Sequence, residues 1–222
     1  MSMPPQTVLV IGGSGAQGIP IVQGGYYSRC ICKRHAKSEL INNPKELSRQ
    51  PMYSNIRVLT RDSTSQNSKL LARLPRVSLH LGPTDDEETL RRAFAGVDLA
   101  YVNINSFVLG IKNEIYWGIR IYELAAQAGV KHFIWSSLDN YMFETQYDDA
   151  LRVGHYYGKA HVEQWLSAIP QIEDSTRWSI LTTGPYIETL FELLRPRQEE
   201  DGTYVFEAPL ETGRSRLCTW KT

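Results

Sequence analysis

An α/β fold built on a doubly wound parallel sheet is predicted by three observations. An apolar run rich in β-branched residues, Thr7 to Ile11, breaks straight into a glycine turn. Strand and helix signals then alternate along the 222-residue chain. The residues of chemical interest fall at strand ends or at the start of the next helix, where sheets of this kind bind ligands.

The first strand, Thr7 to Ile11, runs into Gly12, Gly13, Ser14, Gly15, Ala16, Gln17 and Gly18, a G-x-x-G-x-x-G pattern. Ala16 to Gln23 can then open a helix. Such a turn presents backbone N–H groups at a helix N-terminus, which suits a pyrophosphate. Glycine removes the Cβ that would keep the backbone away from the phosphates. A glycine-rich turn with no ligand is the competing reading.

Ile56 to Thr60 reads as the second strand, followed by a short helix from Ser68 to Leu74. Val77 to Leu81 is the third strand. Asp85 to Phe94 is a helix with acids in its first turn and arginines near its end. Leu99 to Ile104 is the fourth strand. Glu114 to Ala128 has apolar residues at helical spacing (Ile115, Ile119, Tyr122, Ala126), and Gly129 stops it. His132 to Ser136 is the fifth strand, Tyr157 to Ala168 a helix, and Ser179 to Thr182 the sixth strand.

Composition bounds the function classes. Hydrophobic residues make up 42% and charged residues 22%, ordinary for a globular chain. Lys plus Arg equals Asp plus Glu at 24 each. No global field therefore favours nucleic acid or an anionic membrane, and direct nucleic-acid binding is not expected. Three cysteines without repeated spacing argue against a disulfide framework and for a reducing compartment. No apolar run approaches a membrane span, and Met1 to Gln6 does not read as a signal peptide. A cytoplasmic location is expected, with the nucleus as a second one.

Arg61 ends the second strand, where a dinucleotide fold meets the adenosine ribose. An acid there would accept the 2′-OH of NAD, whereas an arginine pairs with the 2′-phosphate of NADP. Asp62 follows at once, so NADP is the expected cofactor and NAD the alternative. A solvated arginine is the plainer reading.

These motifs, taken in order, resemble the NmrA-like family, atypical members of the short-chain dehydrogenase/reductase superfamily. The resemblance rests on VLVIGGSGAQG from Val8 and VLTRD from Val58. It continues through EIYWGIR from Glu114, WSSL from Trp135, GHYYGK from Gly154 and GPY from Gly184. It runs from about Thr7 to Pro209 and implies a Rossmann, NAD(P)-binding fold. The family includes nitrogen-metabolite regulators, NADPH-sensing proteins and members named as oxidoreductases.

By that resemblance, Gly12 to Gln17 would cradle the pyrophosphate and Arg61 would meet the ribose phosphate. Asp86 and Glu87 would lie near the adenine. Asn103, Ser106 and Phe107 would line the exit of the fourth strand. Lys159 would reach the nicotinamide ribose, and Pro185, Tyr186, Ile187 and Glu188 would close over the nicotinamide. Gly82-Pro83 departs from the family's Gly-Asp, and proline cannot supply the aspartate's acceptor.

Lys159 bears on whether the chain is an enzyme. Active relatives use Tyr-x-x-x-Lys, in which lysine lowers the tyrosine pKa for proton transfer. Here His155 stands four residues before Lys159, and the tyrosines are Tyr156 and Tyr157. Histidine can serve as acid or base near neutral pH. The favoured reading is that Lys159 holds the ribose and His155 lies at the surface. Ser136 and Ser137 either supply the superfamily's serine or cap a turn. A cofactor- or redox-sensing regulator with a protein partner, acting in transcription regulation, is therefore expected ahead of an oxidoreductase acting on a small organic substrate.

Two stretches fall outside the pattern of this single 1–222 NAD(P)-binding domain. From about 24 to 51 an insertion interrupts the first helix. Its Cys30, Cys32 and His35 lack a fourth ligand at usable spacing, so no metal is expected. A translated, unspliced intron would account for it. From about 211 to 222 the tail departs from the family, as a change of reading frame would produce, and the substrate- or partner-binding region is expected to be truncated.

Overall fold

The structure, a computed structural model, describes residues 6–23, 55–146, 148, 150, 153–184, 186, 195–210 and 213–221. The expected insertion at about 24–51 lies outside the described residues, with Cys30, Cys32 and His35. The chain divides into two compact units, Met1–Thr182 and Thr183–Thr222.

The first unit is a six-stranded parallel sheet flanked by helices. Its strands are β1 (Thr7–Ile11), β2 (Asn55–Thr60), β3 (Val77–Leu81), β4 (Leu99–Val102), β5 (His132–Ser137) and β6 (Arg177–Thr182). Their order is β3-β2-β1-β4-β5-β6, so β1 is central and pairs with β2 on one side and β4 on the other. This is the doubly wound order, with its switch point between β1 and β4.

The helices are α1 (Gly18–Val22), α2 (Gln66–Ala72), α3 (Glu87–Phe94), α4 (Ser106–Gln127), α5 (Tyr141–Glu144) and α6 (Gly154–Ser167). Alternate residues of a strand face opposite sides, and β1 buries both. Leu9 and Ile11 pack with Leu90, Phe94, Ile121 and Val162 from α3, α4 and α6. Val8 and Val10 pack with Ile21, Val22 and Leu71 from α1 and α2. An apolar side chain buried in this way contributes about 1.5–3 kcal/mol.

All six expected strands form, with ends shifted by two residues at most. The main departure is α4, which begins at Ser106 rather than Glu114. The Asn105 side chain caps it, accepting from the backbone N–H of Phe107 at 3.0 Å and of Val108 at 3.3 Å. Gly110, at φ 72°, then breaks the helical run. Only a residue without a Cβ adopts that conformation cheaply. Helix α6 likewise starts at Gly154, three residues before the expected Tyr157.

Charged residues tie the sheet to its crossovers. The Arg57 guanidinium on β2 donates to the carbonyls of Arg92 at 3.5 Å and Ala95 at 3.0 Å, and to that of Ala93 between them. A cation there satisfies the last carbonyls of α3 and opposes its dipole. Asp98 accepts from the Thr7 backbone at 2.9 Å and from Lys131 at 2.7 Å, pinning the start of β1 to the turn before β4.

The second unit contains β7 (Arg197–Gln198), β8 (Thr203–Leu210) and β9 (Gly213–Lys221) in an antiparallel sheet of that order. The segment expected as an atypical tail thus supplies β9, paired with β8 across a register shift at Phe206/Glu207. No helix among the described residues is long and apolar enough to cross a membrane.

Candidate dinucleotide site at the carboxyl edge of the sheet

The glycine turn leaves β1 at the switch point. Gly12 has φ +80°, and a Cβ there would stand 2.2 Å from the Asn103 carbonyl oxygen. Close approach between the turn and the exit of β4 therefore requires glycine. The Gly15 N–H donates to the Gly12 carbonyl at 3.0 Å, closing the turn, and Gly15 and Ala16 are exposed. Gly13 and Gly18 are buried beneath them.

Gln17 turns its side chain inward. Its Oε1 accepts from Asn103 Nδ2 at 2.6 Å, Ser136 Oγ at 2.9 Å and the Tyr101 hydroxyl at 3.2 Å. The ends of two strands, β4 and β5, thus converge on one side chain of the turn. Ser136 faces the turn, whereas the Ser137 hydroxyl donates to the Leu138 carbonyl at 3.3 Å.

Lys159 lies behind Asn103 on α6. Its ammonium donates to Asn103 Oδ1 at 3.0 Å and to the Ile104 carbonyl at 3.1 Å, and stands 3.3 Å from Glu114 Oε1. It also lies 5.2 Å from the centre of the Trp135 ring, whose indole N–H donates to the Lys159 carbonyl. Ser106 completes the cluster, its hydroxyl donating to Glu114 Oε1 at 2.6 Å. Burial lowers the Lys159 pKa and raises that of Glu114, in each case outweighing their mutual attraction.

His155 is one turn before Lys159. Its ring packs against Phe107 at 4.8 Å and Tyr156 at 4.9 Å between centroids. Partial burial, followed by the Lys159 charge, lowers its pKa and favours the neutral imidazole. Phe107 itself is 82% exposed. Tyr157 instead stacks on His161.

The exit of β2 holds the charged residues of the outer edge. Arg61 is exposed. Asp62 bends back on its own loop, its Oδ1 accepting from the Thr64 backbone at 2.7 Å and hydroxyl at 2.6 Å. These bonds hold the Asp62 carboxyl below its usual range. Asn67 Nδ2 donates to the Ser14 carbonyl at 2.9 Å, which brings the start of α2 beside the glycine turn.

After β3, Asp86 caps α3 by accepting from the Thr89 N–H at 2.8 Å. Glu87 accepts from Arg91 at 2.7 Å and from Arg120 at 2.8 Å. Those guanidinium groups pull its pKa down to about 2. Both carboxylates are thus engaged within the protein, where the resemblance set them near an adenine.

Of the residues expected over the nicotinamide, Pro185, Ile187 and Glu188 lie outside the described residues, and Tyr186 is exposed. No group of three potential metal ligands occurs among the described residues. In the sequence Glu114 is only the first residue of EIYWGIR, with nothing of its own to mark it as buried. Two glycines could have signalled its burial. Gly118, one turn along α4, faces Trp135 and Val162, and Gly158 faces the Glu114 carboxylate.

The sheet order and the glycine turn at its switch point define a Rossmann-type α/β protein. The NmrA-like family matches residues 48–217, and the chain belongs to that family. An NmrA-like family domain-containing protein of Dictyostelium discoideum is 28% identical over 131 residues, 59% of this chain and 35% of that protein. The NmrA-like family domain-containing oxidoreductase hkm9 of Aspergillus hancockii is 36% identical over 97 residues, 42% of this chain and 28% of that protein. The chain thus spans about a third of the length of these curated relatives.

Among solved structures, NmrA, a negative transcriptional regulator, in complex with NAD superposes with a TM-score of 0.62 at 18% identity, covering 90% of this chain and 53% of that one. The Citrobacter sp. triphenylmethane reductase complexed with NADP(H) superposes with a TM-score of 0.52 at 16% identity, covering 82% of this chain and 51% of that one. These likenesses extend to the fold.

Proposed function

We propose that the chain binds a nicotinamide dinucleotide, NADP(H) ahead of NAD(H), and senses its state for a protein partner. The observation that carries this is the join between the glycine turn and the exit of β2. Asn67 holds the Arg61 loop against Ser14, while Asp62 turns its Oδ1 back to Thr64. An arginine is left exposed in the loop beside the pyrophosphate turn, and one oxygen of the neighbouring acid is engaged within its own loop. The residues present fit the cofactor: Gly15 and Ala16 expose backbone for the phosphates and Arg61 supplies a cation for the ribose phosphate. Structures of NmrA with NAD and with NADP support a dinucleotide of either kind.

When bound, the dinucleotide would supply hydride chemistry. This chain's contribution is binding and orientation. Burial lowers the His155 pKa, and packed on Phe107 and Tyr156 it is a weaker proton donor to substrate than a free imidazolium, which favours sensing over turnover. The oxidoreductase reading keeps one specific support, the placement of His155 one turn from Lys159 in a chain related to hkm9.

Calorimetric titration with NADPH, NADP and NAD tests the binding. Micromolar affinity that favours the phosphorylated forms, with the preference reduced about tenfold in Arg61→Ala, is the expected result. A folded chain that binds none of the three overturns the reading.

A further inference from the structure

The parallel sheet has an open edge at β3. This strand pairs with β2 alone, in unbroken register from Ile56 opposite Val77 to Thr60 opposite Leu81. The ends of the ladder set its phase. The Ile56 N–H donates to the Arg76 carbonyl at 2.8 Å, and the Gly82 N–H to the Thr60 carbonyl at 3.0 Å. Backbone groups alternate in direction along a strand, so Ser78 and His80 also bond toward β2. Leu79 and Leu81 turn their N–H and C=O groups outward, where no strand among the described residues pairs with them. Edge strands ordinarily carry a charge, a proline or a bulge that blocks further pairing. Strand β3, VSLHL, has no proline, no bulge and no Lys, Arg, Asp or Glu.

Positive charge gathers around this edge. The whole chain balances 24 basic against 24 acidic residues, yet from Asn55 to Thr84 it carries Arg57, Arg61, Lys69, Arg73 and Arg76 against Asp62 alone. Lys69 lies on α2 and Arg73 at its end, and this helix packs on the face of Val77 and Leu79. Arg76 immediately precedes β3. All three are exposed, and neither Arg73 nor Arg76 has a carboxylate partner among the described residues. The guanidinium groups of α3 and α4 differ, since Arg91, Arg92 and Arg120 are each paired with a glutamate. On the opposite face of β3, burial and then the charges of Arg57 and Arg92 lower the His80 pKa. Cations thus flank the open backbone on both sides.

We infer that the open edge of β3 docks an extended acidic segment of a partner protein, which adds a strand to the sheet. This rests on the reading above that the chain acts through a protein partner. Main-chain bonds to Leu79 and Leu81 supply affinity, and carboxylates reaching Arg73 and Arg76 supply selectivity. Charge opposes a second copy as the occupant, because edge-to-edge pairing would set two basic segments against each other. A nucleic acid would satisfy the cations but leave the outward backbone groups unused.

The test titrates the whole chain with a capped peptide of alternating glutamate and valine, about seven residues long, enough to span β3. Hydrogen exchange read residue by residue follows the amides of Leu79 and Leu81. Binding that slows exchange at both is the expected result. Arg73→Gln combined with Arg76→Gly should weaken it about tenfold. Arg76 has φ 65°, which glycine adopts without steric cost, so that change spares the fold. Leu81→Pro removes one outward N–H, leaves the β2 ladder intact and should abolish the protection at Leu79. Thermal unfolding sets the temperature at which each variant is titrated folded. Equal binding of a peptide with lysine in place of glutamate overturns the inference, as does peptide binding that leaves both amides unprotected. Protection that appears without peptide and grows with protein concentration makes a second copy the occupant and overturns it also. So does a single-stranded oligonucleotide that binds through Arg73 and Arg76 while the peptide does not. NADPH is titrated in parallel. A chain that binds NADPH but no peptide defeats this inference alone, and one that binds the peptide but no NADPH, NADP or NAD defeats the dinucleotide reading alone.

Discussion

At the carboxyl edge of one sheet, two sets of ion pairs sit in opposite surroundings. Around Lys159 the charges are buried between α4, α6 and the exit of β4. Around Glu87 they lie on the outer surface of α3 and α4, with the Arg91 side chain half exposed. The outer contacts are the shorter, 2.7 and 2.8 Å against 3.3 Å for the inner pair, so distance alone would rank the outer set first. Water separates them: the inner pair is desolvated, and the outer carboxylate keeps its solvation and adds two guanidinium partners. Buried pairs resist loss of one member, whereas exposed pairs are screened.

The comparison breaks most sharply at the inner pair. Glu114→Gln or Lys159→Met should each lower unfolding stability by about 3 kcal/mol at neutral pH, because each strands the other charge. Removing both should recover most of that loss. Urea unfolding of the three variants measures it, and a double variant as unstable as the sum of the singles would mean the two residues act independently. A smaller effect belongs to the cap between them. Asn105→Ala removes two hydrogen bonds at the start of α4 and should cost about 1 kcal/mol in the same measurement.

The smallest effect falls on the outer edge, where its sign with pH is opposite. The Glu87 carboxyl titrates lower in the folded chain than in the unfolded one. Its stabilisation is present above the ordinary value of 4.5 and fades as pH falls toward about 2. Glu114 is raised, so its contribution is full below its ordinary value and is lost as pH rises through the folded one. Glu87→Gln should therefore flatten the acid limb of a stability–pH curve at low salt. At 1 M salt, where the screening length is about 3 Å, the difference should nearly vanish. Glu114→Gln should change the curve in the opposite sense.

Much of this edge was legible from the chain. The strands could be read because a strand buried on both faces is a continuous apolar run, and Val8, Leu9, Val10 and Ile11 form one. Gly12 was legible because the turn it makes tolerates no side chain. The start of α4 was not. Ser106 to Gly110 reads as loop, since Gly110 interrupts the helical spacing and the cap at Asn105 precedes so short a turn. The role of Glu114 was hidden for a different reason. A glutamate near the start of a helix is ordinarily a solvated residue, and only its neighbours in space, Lys159 and Gly158, reverse that expectation. Strand β9 was obscured because its sequence lacks the alternation that marks a half-buried strand.

The pairing of β1 with β2 in register, Thr7 against Asn55, has a consequence for how the chain tolerates its long connection. The two strands are neighbours in the sheet although residues 12–54 separate them. Ring-closure entropy grows only with the logarithm of the connecting length, at about 0.6 kcal/mol per doubling. A segment of extra residues between these strands is therefore a small tax on stability, while it lengthens the search each strand must make for its neighbour during folding.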